Sequence, residues 1–391
     1  MMQTYDVIFA GGGLMGCSIA YNLLKLDPTL RIALIEKDPT FEKSSTVLSD
    51  GNMRVQFNVR ENILISQYGF EMLSRFGEEL AVGDTKPDVD FRPVGNLFLV
   101  GEESRETAQA GMHLQLSLGA EVDWLDSAQV QERYTFIDTA RIAGGTFSPK
   151  DGTMDPSAVL HAYKAKSVDL GAEFIVSEVV SIDVVDQQVQ GVTLVDGTKL
   201  AAKFVVNSAG AWGAKLAKTA GMELPVDPVM RHVFHIEGPV SSETLLPLIV
   251  FPSGLYMHHE RENHFLIGKS TPADQVGFDF TFNRRLFMDY MWEELATYAP
   301  PFENLKLIDG WAGLYAMNTF DGNAILGEWP EVRGLILVNG FSGHGFQQCH
   351  AVGAYLADVM LQKSPRIDLS VFSPERLLTG VRVAENAHKI V

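Results

Sequence analysis

Cysteine is nearly missing from this chain of 391 residues: only Cys17 and Cys349 occur. Two cysteines cannot make a disulfide framework and are too few for a cysteine-built zinc or iron–sulfur site, so a reducing, cytoplasmic setting is expected. Positive charge is scarce too, with 31 basic residues against 49 acidic ones and a net charge of −18. Such a field repels phosphate backbones, which argues against a nucleic-acid partner. No run approaches the ~18 consecutive apolar residues that cross a bilayer, so no membrane span is expected. The apolar start, MMQTYDVIFAGGGLMGCSIA, has no Lys or Arg ahead of it and carries Asp6, which favours a strand entering a glycine turn over a secretory signal. Repeats and low-complexity linkers are absent. His232 and His235 could be grouped with His258 and His259, but no supporting carboxylate spacing accompanies them, and no metal site is expected.

What is present is core material: 46% of residues are apolar and 20% charged, in a length that suggests two domains. Residues 5–10 form a short apolar run, residues 14–26 follow with helical periodicity until Asp27-Pro28, and residues 31–36 form a second buried strand. This is a βαβ unit. A helix is predicted over about 61–77 and another over 156–170. Extended segments at 91–100, 142–148 and 248–270 suggest an antiparallel sheet in a second lobe, which the chain leaves and re-enters. Near the end, residues 334–341 are strand-like and precede a glycine turn and a helix over about 346–362. Strand, glycine turn and helix therefore occur at both ends, and each helix start can seat an electron-rich part of one ligand.

The first turn, GGGLMG, supplies G-x-G-x-x-G through Gly11, Gly13 and Gly16, and Glu36 stands 20 residues after Gly16. The first glycine allows the tight turn, the second lets a pyrophosphate approach, the third packs helix on strand, and the carboxylate can bind ribose hydroxyls. An acid at that place disfavours a 2′-phosphate, leaving FAD or NAD.

Further segments follow in order: SSTVLSDGNMR (44–54), VVNSAGAW (205–212), WAGLYAMNTFDGNAILG (311–327) and NGFSGHGFQQ (339–348). With the nucleotide turn and Glu36, this order resembles the D-amino-acid-oxidase superfamily, in its sarcosine oxidase and dimethylglycine dehydrogenase branch. The last eighty or so residues are most similar to mitochondrial FAD-dependent oxidoreductase-domain proteins of respiratory complex I assembly.

The resemblance implies an α/β (α+β) architecture: a Rossmann-like, glutathione-reductase-type FAD-binding domain over 1–85, 145–225 and 320–391, and an antiparallel-sheet substrate domain over 86–144 and 226–319. It implies that Gly11, Gly13, Leu14, Met15 and Gly16 hold the FAD pyrophosphate, Glu36 and Lys37 the adenosine ribose side, and Val179 the adenine. Ser44, Ser45, Gly51, Asn52, Met53 and Arg54 would run beside the ribityl chain and ring. Ala209, Gly210 and Trp212 would close the adenosine side. Gly313, Gly340, Gly343, His344, Gly345, Phe346 and Gln347 would lie about the flavin, the later ones offering N–H groups to its pyrimidine.

Departures from the branch matter equally. Leu314 stands where monomeric sarcosine oxidase has its flavin-linking cysteine, and no histidine falls in 44–54, so FAD is expected to be non-covalent. Tyr315 replaces the carboxylate-gripping arginine of glycine oxidase, Gln347 replaces a lysine, and Leu266 replaces the lysine that sarcosine oxidases place over the flavin for oxygen. Arg54, Tyr256, His258, His259, Lys269 and Tyr315 are the candidates to replace the missing clamps. His258 and His259 sit in a strand, so at most one can face a ligand. Catalytic roles fall to Arg54, Tyr256, His258, Tyr315, His344 and Gln347. Phe251, Phe265, Trp311 and Phe341 read as core.

The expected activity is oxidation of the C–N bond of a secondary or tertiary, sarcosine-like amino acid, by hydride transfer to flavin N5 and imine hydrolysis. Leu266 tilts the expectation towards a dehydrogenase that passes electrons to a protein or quinone. The alternatives are a 2-hydroxy acid dehydrogenase with His258 or His259 as base, and a flavin-stabilised assembly or partner-binding protein.

Overall fold

In the strand Thr4–Ala10, Val7 and Phe9 enter one hydrophobic core while Tyr5, Ile8 and Ala10 enter another. Ile32–Glu36 repeats the pattern, with Leu34 on one side and Ala33 and Ile35 on the other. Strands buried on both faces belong inside a parallel sheet covered on both sides. Thr4–Ala10 accordingly pairs in parallel with Ile32–Glu36 and with Lys199–Asn207. This first sheet runs Ile325–Glu328, Leu335–Asn339, Lys199–Asn207, Thr4–Ala10, Ile32–Glu36, Glu173–Val176, with the hairpin Val179–Val185 and Gln188–Leu194 branching from Lys199–Asn207.

The computed structural model describes residues 3–242 and 244–385. Residues 1–2, 243 and 386–391, within the expected domain ranges, lie outside the described residues. The helices Leu14–Leu26, Pro156–Asp169 and Gly345–Met360 cover the Val7 and Phe9 side through Cys17, Tyr21, Leu24, Val159, Tyr163, Val352 and Leu356. Pro156–Asp169 begins on Asp155, whose carboxylate accepts from the Ser157 and Ala158 N–H groups. The other two helices have no side-chain cap at their starts, so their first N–H groups stay available.

A second sheet of eight strands runs Lys306–Asn318, Val226–Glu237, His264–Gly268, Tyr256–Arg261, Leu248–Val250, Asn96–Val100, Gly144–Ser148, Asp123–Asp126. It is antiparallel except where Leu248–Val250 meets Asn96–Val100. One face carries Leu97, Leu99, Phe234, Ile249, Met257, Phe265 and Ile267 into a core with Phe251 and the helices Arg285–Tyr290 and Trp292–Tyr298. On the opposite face Phe98, Leu248, Val250 and Tyr256 form a smaller apolar cluster.

One detail differs from the sequence-based expectation: the helix foreseen over 61–77 is Arg60–Leu73 followed by a separate turn, Phe76–Glu79. The segment 142–148, expected in the antiparallel sheet, holds Gly144–Ser148, which pairs there with Asn96–Val100 and Asp123–Asp126.

Candidate functional site

The starts of the two uncapped helices open onto one cavity of about 370 Å3, whose walls come from both sheets. Gly11 has φ +110, and a Cβ there would press on the Ser208 carbonyl, so only glycine serves. At Gly13, which lines the cavity, a Cβ would meet no protein atom within 4 Å. That space, beside free N–H groups of the helix Leu14–Leu26, suits a pyrophosphate. Leu14 and Met15 line it as well. Gly16 does not: it lies against the Gly11 carbonyl and packs helix on strand.

Glu36 reaches the cavity while its Oε2 accepts from the Gly12 N–H at 3.1 Å and its Oε1 from the Asp38 N–H at 3.0 Å. Burial raises its carboxyl although these N–H groups pull the other way. Val179, Ala209, Gly210 and Trp212 line the same end. The Lys37 ammonium stands 3.8 Å over the Trp212 ring, with its pKa lowered by burial.

Further along, Ser44, Ser45, Asn52 and Gly313 reach the wall, and the Ser45 hydroxyl donates to the Leu314 carbonyl at 2.6 Å. Gly51, Met53 and Gly340, expected beside the flavin, are not on it. Gly51 (φ +70) and Gly340 (φ +71) turn the chain, and Met53 is fully buried in the core. Gly343, His344, Gly345, Phe346 and Gln347 all line the cavity at the second helix start. Phe341, expected in the core, lines it too.

The remaining end joins Arg54, Tyr256 and Tyr315 with Leu248 and Val250. Arg54 is only 7% exposed, with its guanidinium carbon 4.9 Å from the Phe57 ring centre and 5.8 Å from that of Phe98. Burial lowers its pKa, against the pull of Tyr315, Glu385, Asp50 and Asp151. Burial pushes the Tyr315 hydroxyl up to about 12. It also raises that of Tyr256. His344 sits edge-on to Phe57 at 5.4 Å, and burial, then Arg54, brings it down to about 3, so it is neutral.

His258, expected among the substrate-facing groups, stands apart from them. It is buried on the same strand face as Tyr256 but off the cavity wall, with Nδ1 3.5 Å from Glu260 Oε1. His259 points the other way: Nδ1 accepts from the Leu246 N–H, Nε2 donates to the Glu262 carbonyl, and its ring stacks on Phe265. Leu266 lies outside this cavity and lines a separate open pocket with Arg92, His235, His264 and Trp311. Lys269, three residues on, does line the main cavity and is paired with Glu294. A lysine thus reaches the cavity wall at Lys269, while Leu266 lies off it.

Among the wall residues that had no part in the sequence reading are Arg231 and Asp50. Arg231 approaches Tyr315 because the strand register sets it opposite Gly313, and it is bound to Asp274 at 2.5 Å. Asp50 lies inside a motif singled out for its glycine and arginine, not for its charge.

A family model described as FAD dependent oxidoreductase, DAO, matches residues 6–359. The chain belongs to the DAO family of FAD-dependent oxidoreductases. It is 31% identical to FAD-dependent oxidoreductase domain-containing protein 1 of Bos taurus, over 97% of this chain and 86% of that one. It is 28% identical to the glycine oxidase of Geobacillus kaustophilus over 98% of this chain and all of that one. The structure of L-proline dehydrogenase from P. horikoshii superposes with a TM-score of 0.86 at 23% identity, covering 98% of this chain and 100% of that one.

FAD is the cofactor of this family, and the cavity fits it: two uncapped helix starts, room at Gly13 and a carboxylate at Glu36. Both cysteines are buried in helices away from the wall. Among the described residues no group of His, Cys, Asp and Glu could hold a metal ion, and no helix is long and apolar enough to cross a membrane.

Proposed function

We propose that this chain oxidises the C–N bond of a secondary or tertiary, N-alkyl amino acid, forming an imine that water hydrolyses. The observation that carries this reading is Arg54, a guanidinium almost wholly buried at the apolar end of a cavity fitted for FAD. A guanidinium on that wall can present parallel N–H groups to a carboxylate of fixed orientation, which is what an amino acid brings. Leu248 and Val250 give the N-alkyl group an apolar seat. FAD, bound non-covalently through the Gly13 turn, Glu36 and the N–H groups of Gly343–Gln347, supplies the two-electron acceptor. The residues of the chain orient the substrate and exclude water.

An amine carries its own lone pair and needs no strong base, whereas a 2-hydroxy acid does. His344, neutral with a pKa of about 3, is a poor base, and His258 lies off the wall. Both facts favour the amine. Similarity to a glycine oxidase and to the monomeric sarcosine oxidase of a Bacillus species supports the same substrate class.

The test is anaerobic: mix the yellow protein with a panel of N-alkyl amino acids and 2-hydroxy acids and follow flavin bleaching. Bleaching by the amines alone supports the reading, and re-oxidation by air or by a dye then sorts oxidase from dehydrogenase. Bleaching by hydroxy acids alone overturns it. No bleaching while FAD stays bound overturns it in favour of a partner-binding flavoprotein.

A further inference from the structure

The open pocket that holds Leu266 has a volume of about 450 Å3 and lies on the same face of the second sheet as the main cavity. Strand alternation shows this: Val233 lines the main cavity and His235 the pocket, Gly313 the cavity and Trp311 the pocket, Tyr256 the cavity and Glu260 the pocket. Two to four strand residues separate the members of each pair, which is roughly 7 to 13 Å. The two spaces also share a segment. The Trp311 indole N–H donates to the Leu48 carbonyl at 2.8 Å, and Leu48 lines the main cavity.

Trp311 and Leu266 give the pocket an apolar surface, and a hydrogen-bonded chain of side chains ends in it. His235 Nδ1 lies 2.8 Å from the exposed Asp309 carboxylate, and His235 Nε2 lies 2.9 Å from His264 Nδ1. A carboxylate only accepts, so with both rings neutral His235 donates to Asp309 and accepts the His264 N–H. That leaves a lone pair on His264 Nε2, which has no hydrogen-bond partner among the described residues. Neutral, His264 accepts from a hydroxyl; protonated, it donates to a carbonyl. A ligand suited to this pocket is flat and apolar, and its oxygens change between carbonyl and hydroxyl.

We propose that this second pocket binds a quinone, the acceptor of the electrons that substrate oxidation leaves on the flavin. The inference rests on the proposed C–N oxidation only for the source of those electrons. The ring lies against the Trp311 indole and Leu266, and one oxygen meets His264. Two electrons and one proton come from the anionic reduced flavin, and a second proton comes through Asp309, His235 and His264 from solvent. The flavin is oxidised, the quinone is reduced, and both quinone oxygens end as hydroxyls.

The probe is menadione, a quinone without a long tail. Calorimetric titration of the oxidised, FAD-loaded protein should show one site, weakened by roughly tenfold or more in Leu266→Trp, which fills the pocket, and in Trp311→Leu, which removes the flat ring. FAD content should stay at the wild-type level in both. The flavin is then reduced with dithionite, without any amino acid, and mixed anaerobically with menadione. Re-oxidation should saturate with menadione concentration, and His264→Phe should slow it at saturation by roughly tenfold or more while leaving menadione affinity within about threefold of wild type. Ferricyanide, which takes electrons without protons, should re-oxidise wild type and His264→Phe alike. No menadione binding, or binding and re-oxidation unchanged in both Leu266→Trp and Trp311→Leu, overturns the proposal. Because dithionite supplies the electrons, that failure is distinct from a failure of N-alkyl amino acids to bleach the flavin, which overturns the C–N reading.

Discussion

The backbone N–H of Arg54 donates to the side-chain oxygen of Gln347 at 2.7 Å. The bond fastens the turn that carries Asp50 and Arg54 to the first turn of the helix Gly345–Met360, nearly three hundred residues later in the chain. Gln347 is buried, so replacing it with alanine leaves a buried N–H unsatisfied, at about 1–3 kcal/mol, and frees Arg54 to drift. Arg54→Ala should retain FAD and raise KM for an N-alkyl amino acid by roughly tenfold or more, with a smaller loss in kcat. Gln347→Ala should give the same pattern more weakly. Steady-state kinetics with a dye acceptor checks both, and unchanged KM values would remove Arg54 from the carboxylate site.

Gly13 tests the cofactor seat. A side chain there meets no protein atom within 4 Å, so Gly13→Asp should fold as apoprotein. Its carboxylate would occupy the pyrophosphate position and repel the phosphates. The variant is expected to purify colourless, with a melting temperature close to that of flavin-stripped wild type. Full yellow colour in Gly13→Asp would sink the assignment of this turn.

Much of the fold was legible because its signals are local. The alternation of Val7 and Phe9 against Ile8 and Ala10, the glycine turn and the helix stop at Asp27 needed no distant partner. Glycines that line the cavity were legible too, since a tight turn gives glycine a backbone meaning. Arg231 was not, because it reaches the cavity only through pairing with Gly313 across a register that no local pattern fixes. Leu266 shows the same limit, whereas Lys269, named among the candidates, does reach the wall. The strand ends at Gly268, alternation stops, and Lys269 turns to the wall while Leu266 stays on a different pocket. For His258 and His259 alternation showed that at most one could face a ligand, and neither lines the cavity.

Asp151 sets a pH dependence. It is fully buried, and burial pushes its carboxyl up to about 7 even though the Val55 N–H and the Ser148 hydroxyl favour the charged form. A folded-state pKa above the unfolded one means that the folded chain holds an extra proton between roughly 4 and 7. Stability therefore falls as pH rises through that window and levels off above it, by an amount on the order of 4 kcal/mol. His344 and His350, lowered to about 3 and about 4 by burial, act oppositely but only below about 6.5. From about pH 6.5 to 8 the wild-type melting temperature should drop by more than that of Asp151→Asn. Parallel curves would show that Asp151 is not the source.

Arg376 and Asp321 test how the end of the chain supports the cavity. Arg376 Nε and Nη2 donate to the Asp321 carboxylate at 2.8 and 3.1 Å, and further N–H groups reach the Phe372, Asn323 and Ala324 carbonyls. Both side chains are almost wholly buried. Asp321 also accepts from the Asn318 side chain, at the end of the strand that carries Gly313 and Tyr315. Arg376→Met removes the cation and leaves Asp321 buried and unpaired, which should cost about 3–5 kcal/mol. Arg376→Lys should recover little, because an ammonium cannot reproduce the fork that reaches a carboxylate and several carbonyls together. Adding Asp321→Asn to Arg376→Met should restore part of the loss, since the unpaired charge is then gone. Denaturant unfolding of these variants and of Asp321→Asn alone checks this, and single and double losses that simply add would mean that the pair is not coupled.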